Sequence, residues 1–421
     1  MSKANDPSLR SWVTVKPESD FPIQNLPFGV FKTATGNARI GVAIGEYILD
    51  LQALAKSGLL DTVAFDKNLL SKDTLNQFIT LGKHVTNAVR ERISELLNEN
   101  NQELQGKAEL KSRVLVKQSE AQMLKPVYVP NYTDFYSSRE HATNVGAMFR
   151  DPKNALLPNW LHLPVGYHGR ASSIVVSGTP IHRPKGQTKA DTDEMPSFGP
   201  SKSVDFELEI AFITGKPTQL GESISTEEVE SHIFGLVLFN DWSARDIQKW
   251  EYVPLGPFLA KNFGSSVSPW VVTLEALEPF KVEGPIQEPA VLPYLKYGGK
   301  KNYEINLEVE IKTASGKSKI VSHSNFKYMY WNMCQQLAHQ TVNGCNIAVG
   351  DMYASGTISG PEPDSYGSML EITWGGKNPV QMPDGTERKF INDGDTVVLK
   401  GYAKKDGVRV GFGECSGMII E

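Results

Sequence analysis

The segment Val204-Asp-Phe-Glu-Leu-Glu-Ile210 alternates without a break, with Val204, Phe206, Leu208 and Ile210 on one side and Asp205, Glu207 and Glu209 on the other. Successive side chains of an extended chain point to opposite faces, so three carboxylates line one strand face ~7 Å apart. Like charges at that spacing repel, and alone the face reads as a solvated outer surface. The next apolar run, Ile233–Phe239, changes the balance. It leads into Asn240-Asp-Trp-Ser243, which places Asp241 at a strand-to-helix corner, where functional groups are commonly held. Ser243 and Asp246 have the spacing of a capping box, and Arg245 and Gln248 share a face of the helix it would open. The stretch Tyr132–His141 packs Asp134, Tyr136 and His141 into ten residues. Glu371 interrupts the apolar run Met369–Trp374, which reads as a strand, and needs a partner if buried.

Asp134, Glu207, Glu209 and Asp241 together would supply an all-oxygen site. Such a donor set selects calcium or magnesium over zinc or copper. There is no EF-hand loop, so the ligands of any such cation come from distant parts of the chain. There is also no P-loop, no dinucleotide GxGxxG after a strand, no HExxH and no GxSxG. Gly413-Glu-Cys-Ser-Gly417 has the outline of a nucleophile elbow. An elbow leads into a helix, and this segment reads instead as a C-terminal strand with Cys415 packed inside. His162 and His168 read as ordinary structural histidines.

The elements that must position these groups are mostly strands. Short apolar runs broken by glycine from Phe28 to Leu51 suggest a small barrel, with a turn at Gly45-Glu46. Leu75, Phe78, Leu81, Val85, Val89, Ile93 and Leu96 recur at helical spacing and predict one amphipathic helix. Helical, charged sequence gives way to aromatic, glycine-rich sequence near Lys125-Pro126, which divides the chain into domains 1–126 and 127–421. Beyond it, strands are expected at Ser173–Val176, Val204–Ile213, Ile233–Phe239, Ile305–Ile311 and Thr396–Leu399. One helix is expected where Phe326, Tyr330, Met333 and Leu337 share a face, with Gly344 as its stop.

The 421 residues exceed the usual single-domain range, and a net charge of −5 argues against a nucleic-acid partner. No apolar run approaches the ~20 residues that span a bilayer. The start lacks a signal-peptide core, and the three cysteines form no CxxC pair. Both point to a reducing, cytoplasmic setting without disulfides or thiolate zinc.

Several strings are distinctive. Tyr132-Thr-Asp-Phe-Tyr-Ser-Ser138, His141-Ala-Thr-Asn-Val-Gly146, Leu163-Pro-Val-Gly-Tyr-His-Gly-Arg-Ala-Ser-Ser173, Asn240-Asp-Trp-Ser-Ala-Arg-Asp-Ile-Gln248 and Pro254-Leu-Gly-Pro-Phe-Leu259 closely resemble the fumarylacetoacetate hydrolase family. The resemblance runs from Phe21-Pro-Ile-Gln-Asn-Leu-Pro27 to Arg409-Val-Gly-Phe-Gly-Glu-Cys415. It implies a mostly β protein with some helix, a small N-terminal SH3-like barrel and a large C-terminal β-roll or β-sandwich catalytic domain. The implied reaction is hydrolysis of a carbon–carbon bond in a small diketo acid, 4-fumarylacetoacetate, giving fumarate and acetoacetate in tyrosine and phenylalanine degradation.

Carried over by motif, Ca2+ would be held by Asp134, Glu207, Glu209 and Asp241. Mg2+ would involve Asp241, Lys261 and Ser265, the last keeping the hydroxyl of a threonine expected in the family. His141 would be the general base, oriented by Glu371. Arg245, Gln248 and Lys261 would form the oxyanion site, and Tyr136, Arg150, Tyr167, Arg245, Gln248, Tyr252 and Thr357 would contact substrate. The resemblance further implies a homodimer. The competing readings are a related acylpyruvate-type hydrolase or decarboxylase, and a calcium-binding module without catalysis.

Overall fold

A computed structural model describes residues 2–421. Five short strands form the first sheet, in which Phe28–Thr33 lies between Arg39–Ile44 and Ala121–Leu124, and Tyr47–Asp50 and Leu115–Lys117 continue past Arg39–Ile44. Gly45, at φ 53°, makes the tight turn expected between the second and third strands. The single predicted helix is two. Asn76–Ile79 ends before Gly82, whose φ of 83° breaks the helical path, and Lys83–Leu97 then runs on with Val85, Val89, Ile93 and Leu96 buried.

The larger C-terminal part is built on two sheets. The central one is ordered Gly166–His168, Tyr132–Phe135, Met352–Ala354, Leu208–Thr214, Ile233–Asp241, Ser265–Val267 and Ile174–Val176, with Val272–Thr273 also paired to Ile233–Asp241. The second runs Ser318–Asn325, Asn306–Lys312, Thr396–Lys405, Val408–Ile420 and Ile181–His182. Overall 29% of the residues are in strands and 25% in helices.

The central strands are buried on both faces, and each face has its own neighbour. Leu208, Ile210, Phe212, Leu236 and Leu238 pack with Leu307, Val309, Leu399 and Phe412 of the second sheet. Ala211, Ile213, Val237 and Phe239 join Phe28, Phe78, Val89 and Ile93 of the N-terminal domain. By the two-residue period of a strand, Glu209 and Asp241 belong to this second face, as does Asp134 beside Tyr132. The N-terminal domain fills that face along most of its length, and the carboxylates occupy the remaining end.

Other local expectations also differ from the structure. The acidic run is not one strand: Val204–Asp205 pairs with Ser243–Ala244, and Leu208–Thr214 pairs with Ile233–Asp241. Nor is its acidic face solvated, since Asp205, Glu207 and Glu209 are all buried. The helix expected from Phe326 onward is confined to Met333–Thr341, because Asn332 and Gln335 form a reciprocal capping box that sets its start. The C-terminal strand is Val408–Ile420, with Cys415 buried as expected. Among the described residues no helix is long and apolar enough to cross a membrane.

Candidate active site

Four carboxylates meet at the uncovered end of the central sheet. One oxygen from each of Asp134, Glu207, Glu209 and Asp241 lies within 4.8 Å of the others. The sheet register assembles them: Asp134 pairs with Ala354, Ala354 stacks beside Ala211 two residues from Glu209, Glu209 faces Phe239, and Asp241 faces Ser265. Burial, reinforced by the neighbouring Asp241, pushes the Asp134 carboxyl well above its ordinary range. Burial together with Asp134 and Glu207 does the same to Glu209. Burial also opposes ionisation of Glu207, but Lys261 and Arg245 outweigh it and hold that carboxyl low.

The cluster retains unmet acceptors. Asp134 Oδ1 and Glu209 Oε1 are buried with no hydrogen-bond partner among the described residues. A buried carboxylate oxygen without a donor is costly, and a divalent cation is the partner such oxygens suit. The donor chemistry and the orphaned oxygens therefore fit a hard cation. Lys261 Nζ lies 2.7 Å from both Asp241 Oδ2 and Glu207 Oε2. These two acids outweigh its burial and raise its pKa, so this side chain is an ammonium that offsets charge and cannot itself ligate. Ser265 Oγ donates to Asp241 Oδ1 at 2.9 Å. The Tyr167 hydroxyl, kept protonated by burial and by Asp241 and Asp134, donates to Asp241 at 3.0 Å.

A second constellation stands beside the first. His141 lies in the first turn of the Arg139–Phe149 helix, whose N-cap Ser138 accepts the His141 backbone N–H at 3.1 Å. Its Nδ1 is 2.7 Å from Glu371 Oε2. Glu371 is not in a strand. It closes the first turn of the short Met369–Ile372 helix capped by Ser368, because Ser368 and Glu371 bond to each other across that turn. Burial would raise the Glu371 carboxyl, yet His141, Asn144 and Ser368 hold it below its ordinary range. With Nδ1 committed to Glu371, the free ring nitrogen of His141 is Nε2. The Tyr136 ring meets the imidazole edge to face at 5.2 Å.

Arg245 links the two. It opens the Arg245–Glu251 helix, which starts after Ala244 and has no side-chain cap; the expected Ser243–Asp246 box does not form, since Ser243 is paired in a strand and Asp246 accepts from Ser201. Arg245 Nε donates to Asp205 at 2.8 Å and Nη1 to Glu207 at 2.8 Å and Gln248 Oε1 at 3.2 Å. Its Nη2 is buried without a partner among the described residues, as is Thr357 Oγ1. Gly356, just before Thr357, needs its φ of 76° and its missing Cβ, which would sit 2.2 Å from the Phe135 carbonyl oxygen. That close approach lets its N–H reach Glu209 Oε2 at 3.0 Å.

Two family models match the chain: "Fumarylacetoacetate (FAA) hydrolase C-terminal" over residues 131–419 and "Fumarylacetoacetase N-terminal" over 24–126. The chain belongs to the fumarylacetoacetate hydrolase family. It is 54% identical over 418 residues to the Fumarylacetoacetase of Dictyostelium discoideum, covering 98% of each chain. It is 52% identical over 412 residues to that of Homo sapiens, covering 97% of this chain and 98% of that one. Among solved structures, the fumarylacetoacetate hydrolase of psychrophilic Exiguobacterium antarcticum shares the fold, with a TM-score of 0.52 at 18% identity over 94% of this chain and 99% of that chain.

Of the residues singled out from the sequence of this fumarylacetoacetate hydrolase family member, the structure brings together Asp134, Tyr136, His141, Tyr167, Glu207, Glu209, Asp241, Arg245, Gln248, Lys261, Ser265 and Glu371. Arg150 and Tyr252 stand apart, both exposed; Arg150 donates to the Ala155 carbonyl and lines a 60 Å³ cavity with Tyr136 and Trp160. His162 and His168 are on the surface. Sequence reasoning passed over Asn144 and Ser359, which donate to Glu371 at 3.0 and 2.9 Å, and over Ser368, which donates at 2.7 Å. Only Ser368 left a trace, the Ser-x-x-Glu spacing of a helix start.

Proposed function

We propose that this chain hydrolyses fumarylacetoacetate to fumarate and acetoacetate, as the names of its near-full-length relatives suggest. The observation that carries the reading is the buried His141–Glu371 pair at 2.7 Å beside a four-carboxylate cluster with orphaned oxygens. His141 Nε2 takes a proton from water as its oxygen attacks the carbonyl on the fumaroyl side. Glu371 fixes the tautomer with Nδ1–H donated and stabilises the imidazolium that forms. The tetrahedral oxyanion then faces Arg245, whose Nη2 is unspent, with Lys261 and Gln248 adding donors; a single such donor is worth ~3 kcal/mol in related chemistry. The carbon–carbon bond breaks with its electron pair leaving on acetoacetate as an enolate, and the imidazolium returns the proton. A divalent cation held by Asp134, Glu207, Glu209 and Asp241 would supply a Lewis acid for the diketone oxygens.

Calcium suits that cluster, and magnesium would involve Asp241, Lys261 and the Ser265 hydroxyl. Tyr136, Tyr167 and Thr357 would line the substrate's place, and the exposed Arg150, which shares a cavity with Tyr136, and Tyr252 would have to swing in to contact substrate. Residues 1–126 would serve as an accessory domain and 127–421 as the catalytic one. The N-terminal match, at residues 24–126, favours this reading over an acylpyruvate-type activity. A cytoplasmic location accords with the free thiols of Cys334, Cys345 and Cys415. A homodimer accords with the apolar strap after the Arg245 helix, where Leu255 is 96% and Phe258 68% exposed.

The deciding experiment follows the ultraviolet absorbance of fumarylacetoacetate. Calcium-loaded wild type should consume it, a chelator should stop the reaction, and restored calcium should revive it. His141→Ala should bind calcium normally and leave the absorbance unchanged. An inactive wild type would defeat the substrate assignment, and a fully active His141→Ala would remove the base.

A further inference from the structure

Asp205 is the third carboxylate of the alternating acidic face, and the roles above leave it without one. It lies outside the cation cluster, and both of its oxygens are occupied. Oδ1 accepts the Met369 N–H at 2.7 Å, and Oδ2 accepts the Leu370 N–H at 3.0 Å and Arg245 Nε–H at 2.8 Å. The side chain is 0% exposed. Met369 and Leu370 open the helix that carries Glu371, and Arg245 carries the unpartnered Nη2. One buried carboxylate thus touches the supports of both the base and the oxyanion donor.

We propose that Asp205 is the positioning residue that registers these two halves of the site against each other. Arg245 has three acceptors, but they are not equivalent. Glu207 also serves Lys261 and belongs to the cation cluster, and Gln248 offers a longer, neutral contact at 3.2 Å. Asp205 is the charged anchor that does not depend on what the cluster holds. Its bond to Nε fixes the plane of the guanidinium, and with it the direction of Nη2. The same oxygens seat the first turn of the Glu371 helix, and hence the carboxylate that orients His141. Displacement of a catalytic group by 1 Å typically costs ~100-fold in rate, so an anchor shared by two such groups acts on kcat without touching substrate.

The inference rests on the hydrolase reading, so the test begins with wild-type turnover of fumarylacetoacetate; absence of turnover there removes that reading. With an active wild type, Asp205→Asn should lower kcat by about 10–100-fold while KM stays within about threefold and calcium affinity by calorimetry is unchanged. In an Arg245→Lys background the same substitution should cost a smaller factor, because part of its effect passes through the guanidinium. Wild-type kcat in Asp205→Asn, or an equal fold-loss in both backgrounds, overturns the proposal. Asp205→Glu keeps the charge but lengthens the arm, and should fold with reduced kcat if Asp205→Asn does not fold. Failure of both variants to fold would make Asp205 a structural residue and also overturn it.

Discussion

Glu371 shows how a buried carboxylate is kept ionised. Its two oxygens receive donors from His141, Asn144, Ser359 and Ser368, enough to outweigh burial and hold its pKa below the ordinary value. A carboxyl with a depressed folded pKa contributes stability above its unfolded value of ~4.3, and loses that contribution as pH falls through the folded value. Glu371→Gln keeps the shape but removes the charge. Its stability deficit against wild type, measured by urea unfolding, should therefore be largest near neutrality and shrink below about pH 4. Turnover should fall by about 10²–10⁴-fold, since His141 loses the partner that sets its tautomer. A deficit independent of pH would mean that the carboxylate is not ionised in the native state. The same reasoning separates what these residues announce from what they conceal. An acid inside an apolar run announces a buried partner, and Ser368 shows in the Ser-x-x-Glu spacing, but neither His141 nor Asn144 and Ser359 can be chosen from spacing alone.

Ser138 connects the two elements that bear the dyad. Its hydroxyl oxygen accepts the His141 N–H as the helix cap, and the hydroxyl donates to the Ser359 carbonyl at 3.1 Å. Ser359 in turn donates to Glu371 and accepts the Gly367 N–H. Ser138→Ala should lower stability by about 1–2 kcal/mol, the usual cost of a lost cap, and reduce kcat because the helix start carries His141. The midpoint of urea unfolding measures the first effect, and a midpoint equal to wild type would show that the cap carries no weight. At this level the sequence was partly readable. The period of the acidic run assigned its faces correctly, and the helical spacing of Val85, Val89, Ile93 and Leu96 found a real helix. Element ends were less legible: Gly82 broke one predicted helix, and Asn332 with Gln335 fixed the start of another, through local geometry that apolar periodicity does not register.

Across the whole molecule, the acidic end of the central sheet costs folding free energy unless something meets its charge. The N-terminal domain covers the apolar length of that face and leaves the carboxylates to Lys261 and Arg245, which do not meet every oxygen of a cluster that could hold a metal. A ligand bound only by the native state stabilises it by mass action, ~2.7 kcal/mol at a hundredfold excess over Kd. Calcium-loaded protein should therefore melt several degrees above chelator-treated protein, with the difference growing as calcium rises. Equal melting temperatures by calorimetry would show that the cluster binds no cation in the folded chain.

The residues by themselves determined which side chains could do chemistry: strict alternation put Asp205, Glu207 and Glu209 on one face, and an all-oxygen set pointed to a hard cation. Motif strings carried the family. What the sequence left open was whether that face met water or protein, and what Asp205 touches. Only the tertiary structure decided these, because both depend on groups far apart in the chain. Residues 28–97 cover the apolar continuation of that face at Ala211 and Ile213, while Arg245, Lys261 and the backbone N–H groups of Gly356, Met369 and Leu370 meet the acids themselves. Asp134, some seventy positions before Glu207, arrives through strand pairing with Met352–Ala354. Asp205, equal to its neighbours in the one-dimensional pattern, lies outside the four-carboxylate cluster and is bonded instead by Arg245 and the amides of Met369 and Leu370.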